Sequence, residues 1–88
     1  MSSGTFSSED RALPELRRLI DEVDDSILEL LDRRAELAAE EARVIGTPRR
    51  DEARESSTLH RLRYRARRFP RRAVDLVWSA IFGACSSV

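Results

Sequence analysis

Five side chains in this sequence have the types and positions that could do chemistry: Arg17, Arg34, Asp51, Arg54 and Glu55. Arg34 falls where a helical stripe of apolar residues calls for another apolar side chain. A guanidinium held in such a seam is costly unless a carboxylate or an anionic ligand meets it. The alternative is an arginine that snorkels outward or pairs with an acid such as Glu41 of a partner chain. In the string Arg50-Asp51-Glu52-Ala53-Arg54-Glu55, the i,i+3 spacing sets Asp51 and Arg54 on neighbouring sites of one helix face. That spacing equally suits an ordinary ion pair at a helix start. Arg17 lies one position beyond Leu16, at the margin of the stripe, where it can point along the seam toward a partner. All sixteen basic residues are arginine, so Schiff-base and lysine-anchored phosphate chemistry are excluded. The single cysteine, Cys85, leaves no intrachain disulfide, and there is no CxxC or Cys/His cluster to bind zinc and no Gly-rich phosphate loop.

These residues need rigid elements to position them, and the sequence supplies helices. Leu16, Ile20, Val23, Ile27, Leu30 and Leu37 recur at alternating steps of four and three, broken only by Arg34. This predicts a first helix from about Pro14 to Val44, with Pro14 in its first turn and Gly46-Thr47-Pro48 as a C-cap glycine followed by a proline stop. Roughly 30 residues at 1.5 Å each make a rod about 45 Å long, more than a compact monomer of this size can cover. A second helix is expected from Asp51 to near Arg67, with acidic residues in its first turn and Leu59 and Leu62 on its apolar side. Pro70 fits the start of a third helix whose face is Val74, Val77, Ile81 and Cys85, flanked by Trp78 and Phe82.

No strand pattern appears, so the fold class is all-α, with three helices per subunit, a flexible N-terminus over 1–13 and one helical domain over 14–88. At 88 residues the chain is near the lower limit for a self-sufficient core, and a second copy is the simplest cover for the long helix. The first residues carry neither a basic n-region nor an apolar h-region, and no apolar run approaches the ~20 residues of a membrane span. A cytoplasmic protein without membrane contact is expected.

Charge is balanced overall but not along the chain. Only Asp75 is acidic after Glu55, while seven arginines lie between Arg61 and Arg72. Interleaved with Tyr64 and Phe69, they raise the question of nucleic-acid binding. On a helix they would circle the axis instead of forming one stripe, and fifteen acidic residues in the first 55 offer them partners within the protein. Nucleic acid is not the expected partner.

Read together, the motifs resemble the AroQ class of chorismate mutases. The residues that carry the likeness are Leu16-Arg17, Ile20-Asp21, Asp24, Ile27-Leu28, Leu30-Leu31, Arg33-Arg34 and Leu37-Ala38. It continues through Glu41-Ala42-Arg43-Val44, then Asp51, Arg54 and Glu55, and ends in Val77-Trp78-x-x-Ile81-Phe82-x-x-Cys85. The resemblance implies an intertwined all-helical homodimer of three-helix subunits that rearranges chorismate to prephenate, a [3,3] pericyclic shift needing no cofactor and no metal. Catalysis is then positioning plus electrostatics.

By the same resemblance the substrate is a dicarboxylate, chorismate or a close relative. Arg17 of the second subunit would hold one carboxylate and Arg34 the other, and Arg54 would line the pocket. Asp51 would stand near the substrate hydroxyl and Glu55 would accept its hydrogen bond. Two departures stand out. The family's lysine at the end of the first helix, donor to the ether oxygen, aligns with Ile45, and the expected Gln or Glu a few residues past Cys85 would fall beyond Val88. Loss of one such donor typically costs ~10²–10³ in rate. Arg49 or Arg50, in the short connection, can swing in instead. The departures keep open a mutase of 4-amino-4-deoxychorismate, an enzyme of isochorismate, and a weakly active or non-catalytic homologue. Such a homologue would bind a metabolite or be activated by a partner enzyme of the shikimate pathway.

Overall fold

The computed structural model describes the backbone of residues 3–46 and 50–87 and the side chains from Ala12 onward in those ranges. It contains three helices, α1 (Ser3–Ile45), α2 (Glu52–Arg65) and α3 (Arg71–Cys85), and no strand among the described residues. The all-α expectation of three helices with a long first one holds. None of the described helices is long and apolar enough to cross a membrane.

The start of α1 differs from the expected one. Pro14 lies inside the helix instead of opening it. Its missing N–H leaves the carbonyl four residues upstream without a helical partner, a cost of about 3 kcal/mol in a helix interior. The helix runs through because no glycine or proline separates Thr5 from Leu13. At the other end Gly46 takes φ +93°, a left-handed conformation that only glycine adopts without strain, and donates its N–H to the Ala42 carbonyl at 2.8 Å. Thr47 and Pro48, expected to complete the stop, lie outside the described residues.

The chain divides into two compact units, 1–31 and 32–88. In the first, Leu16, Leu19, Ile20, Val23, Ile27, Leu28 and Leu30 are all between 46% and 68% exposed, so the apolar stripe covers nothing within the unit. In the second, the end of α1 joins α2 and α3 around two buried side chains, Val74 (3% exposed) and Phe82 (6%). From α1 this core receives a face of small residues, with Ala35, Ala38 and Ala42 half-buried, whereas Leu37 and Val44 are exposed. From α2 it receives Thr58, Leu59 and Leu62, the i, i+1, i+4 pattern of an amphipathic helix.

The inward face of α3 differs slightly from the expected one: Val77 is exposed, while Val74, Trp78, Ile81, Phe82 and Cys85 turn inward. At about 100° per residue Val77 lies ~60° to one side of Val74, and Trp78 and Phe82 lie on the other. The bulk of Phe82 decides which side faces in. Pro70 caps α3 from outside the helix, and α2 ends at Arg65, two residues before the expected stop.

Gly46, just past α1, and Gly83, inside α3, should respond in opposite directions to alanine. Gly46→Ala forces a side chain into a positive φ and is expected to destabilise by about 1–2 kcal/mol. Gly83 is in the interior of α3, where an added Cβ would lie 4.0 Å from Arg50 Nη1, an ordinary contact. Gly83→Ala is therefore expected to stabilise by about 0.5–1 kcal/mol. Urea midpoints of the two variants check both signs.

Candidate functional site

The 32–88 unit holds a cleft of about 440 Å³, open on one side and walled by the end of α1, the start of α2 and the last turns of α3. It brings together four of the five candidate residues, Arg34, Asp51, Arg54 and Glu55. Arg17 is exposed in the 1–31 unit and does not line this cleft.

Each of the four is placed by a different local device. Arg34 shares the α1 face of Ala35 and Ala38, so its half-buried side chain points toward α3, and its guanidinium carbon stands 5.4 Å from the centroid of the Phe82 ring. That distance is within the ~6 Å range of a cation–π contact, which holds the charge in place without consuming any of its N–H donors. Glu41 of the same chain is bound to Arg54, whose Nη1 donates to Glu41 Oε2 at 3.1 Å. Asp51 is the N-cap of α2. Its Oδ1 accepts from the backbone N–H of Arg54 at 3.0 Å, so the expected Asp51–Arg54 pairing is made to the backbone and not to the guanidinium. This turns the Arg54 side chain free for α1.

Glu55 meets Arg50. Arg50 Nε donates to Glu55 Oε2 and Arg50 Nη2 to Glu55 Oε1, both at 2.8 Å, a two-bond fork from the residue just outside α2 onto its first turn. The hydrogen bonds from Arg50 hold the Glu55 carboxyl below the usual carboxylate range, with the nearby Arg34 charge acting the same way. Burial and the neighbouring Asp51 push in the opposite direction and are outweighed. Glu55 is ionised, and a hydrogen bond it makes to a ligand is one it accepts.

Sequence reasoning pointed to Arg50 only as a residue that can swing in, and passed over Arg61, which also lines the cleft. Its one signal was helical spacing: Arg61 stands seven residues, about two turns, beyond Arg54. With Arg50 committed to Glu55 and Arg54 to Glu41, Arg34 and Arg61 are the two cleft guanidinium groups without a carboxylate partner among the described residues. Ile45 contributes an apolar wall beside them, with Trp78, Phe82 and Cys85 of α3. No group of His, Cys, Asp and Glu among the described residues is arranged to hold a metal ion.

The cleft thus joins two uncommitted guanidinium groups, three carboxylates and the aromatic side chains of Trp78 and Phe82, a lining whose chemistry suits a small anionic, partly apolar ligand. The sequence comparison agrees with this chemistry. Residues 16–88 match the family model for chorismate mutase type II, and the chain belongs to that family. No curated protein and no solved structure matches the chain.

The double role of Asp51 is separable. Asp51→Ala removes the N-cap and should destabilise the protein by about 1 kcal/mol, while Asp51→Ser keeps a capping oxygen and should remain within a few tenths of the parent. Denaturant unfolding measures this difference, and equal losses for both variants would refute the capping role.

Proposed function

We propose that the protein is an isomerase that converts chorismate to prephenate in the cleft of the 32–88 unit, working as a homodimer. The observation that carries this reading is the pair of uncommitted guanidinium groups, Arg34 and Arg61, beside the ionised Glu55, in a chain of the chorismate mutase type II family. Chorismate carries two carboxylates and a hydroxyl. Arg34, fixed over Phe82, presents its N–H fork to one carboxylate, Arg54 lines the pocket beside it, and Glu55 accepts a hydrogen bond from the hydroxyl with Asp51 nearby. The reaction is intramolecular, so holding the substrate in its reactive conformation and meeting charge as it develops is all the protein has to supply.

The dimer is supported by the stripe of α1. Seven large apolar side chains of the 1–31 unit are about half exposed or more, a surface that water covers at a cost of ~25 cal/mol per Å². A second copy would cover it and bring its own Arg17 to the other carboxylate. Ile27→Asp, on that stripe, is expected to abolish the dimer and with it the activity, as read by sedimentation velocity and chorismate turnover. A monomeric wild-type protein that remains active would refute the assembly.

Arg34→Ala is expected to weaken chorismate binding by at least 100-fold with the dimer intact. Normal binding by this variant would remove Arg34 from the site. One observation favours a second reading: Ile45 puts an apolar side chain in the cleft wall where the family resemblance calls for a cationic donor. Loss of chorismate absorbance, followed in parallel with 4-amino-4-deoxychorismate, separates the readings. Prephenate formed at an enzymatic rate supports the mutase. Turnover of only the amino analogue makes it a specialised mutase, and turnover of neither leaves a metabolite-binding or partner-activated protein.

A further inference from the structure

Arg50 belongs to no helix, and nothing in the packing of the unit requires it. It precedes the N-cap of α2, with about half of its side chain exposed. Yet it spends both nitrogens of one guanidinium edge on a single carboxylate, at 2.8 Å each. A single hydrogen bond leaves a glutamate free to rotate about its last side-chain bond; a fork occupying both oxygens fixes the carboxylate plane. Each oxygen keeps a further lone pair for another donor.

The other charged groups facing Glu55 do not fix it. Arg34 of α1 acts on it through space while its guanidinium lies over Phe82. Arg54 of α2 is bound to Glu41 of α1, Asp51 is turned to the α2 backbone, Arg61 has no carboxylate partner, and the titratable group from α3 in the cleft is Cys85. Only Arg50 sets the orientation of Glu55.

We propose that Arg50 is a positioning residue for the site, whose fork holds the Glu55 carboxylate in place to accept a hydrogen bond from the ligand's hydroxyl. The proposal rests on the mutase reading for the identity of that ligand, and its consequence is acid tolerance. A glutamate whose titration is lowered keeps its acceptor function as pH falls, and loses it only on passing through the lowered value. Without Arg50 the loss sets in at higher pH. The unspent Nη1 lies near Gly83 of α3, 4.0 Å from where a Cβ at that position would stand.

The test uses the full-length protein and its Arg50→Ala and Arg50→Lys variants, with helicity as a folding check. The Glu55 carboxyl carbon is followed by NMR against pH and assigned by its loss in Glu55→Gln. Chorismate affinity and kcat/KM are measured over the same range. In the parent, Glu55 should titrate below ordinary glutamates. In Arg50→Ala it should rise toward them, and the acid limb of affinity and of kcat/KM should rise in step. Arg50→Lys, which replaces the fork with a point charge, should recover part of both effects.

An unmoved Glu55 titration in Arg50→Ala overturns the proposal, as does a shifted titration with an unmoved acid limb. Wild-type protein that neither binds nor converts chorismate overturns the mutase reading instead, and the carboxyl titration still decides whether Arg50 governs Glu55.

Discussion

The contact between Arg34 and the Phe82 ring joins the two requirements that this small protein has to meet. Phe82 is one of two buried side chains among the described residues of the 32–88 unit, so the packing of α3 depends on it. Its ring face is also the seat of the Arg34 guanidinium, 5.4 Å from the centroid. An arginine on an apolar helix face would otherwise be drawn out to water or to a carboxylate, and either would remove it from the cleft. An aromatic face attracts the cation through its quadrupole and takes none of its N–H donors. The core therefore holds a charge at its edge with its hydrogen-bonding capacity unspent, and that capacity is what an anionic ligand needs.

The remaining charges of the cleft divide into pairs that are closed and groups that are left open. Arg50 with Glu55 and Arg54 with Glu41 are neutral as pairs, and both are well exposed, so they contribute little to stability. Their effect is geometric. They fix where each partner points and close two of the four cleft guanidinium groups, leaving Arg34 and Arg61 open in a lining that also holds the Asp51 carboxylate. A cleft with all four guanidinium groups unpaired would repel itself and attract counter-ions indiscriminately. With two closed, the open guanidinium groups keep their donors for an anionic ligand.

Much of this was legible in the sequence, for identifiable reasons. Helix number and the breaks near Gly46 and Pro70 follow from local rules: apolar period, a glycine that takes positive φ, a proline at a helix entry. Asp51 as a helix-start residue was legible in the same way, though its partner proved to be the Arg54 backbone. Four of the five candidate residues, Arg34, Asp51, Arg54 and Glu55, meet in one cleft, the last three at the N-cap and first turn of α2 and Arg34 about three turns before the end of α1. What could not be read is pairing across elements. Glu41 with Arg54, Arg34 with Phe82 and Arg50 with Glu55 depend on side-chain directions set only once α1, α2 and α3 are packed. The true start of α1 was hidden because Pro14 is as compatible with a first turn as with a costly interior position.

Within the 32–88 unit, the end of α1 offers two unlike faces. One is alanine-rich, with Ala35, Ala38 and Ala42 half-buried, and beside it the long side chains of Arg34 and Glu41 reach Phe82 and Arg54. The other carries Leu37 and Val44, both exposed. This division of labour explains why the one polar interruption of the apolar stripe can be an arginine. Position 34 stands where the two faces meet, close enough to the small face to be covered by α3 and near enough to the cleft to keep its charge solvated or ligated. An apolar residue there would extend the stripe by one contact and remove the cation that gives the cleft its chemistry.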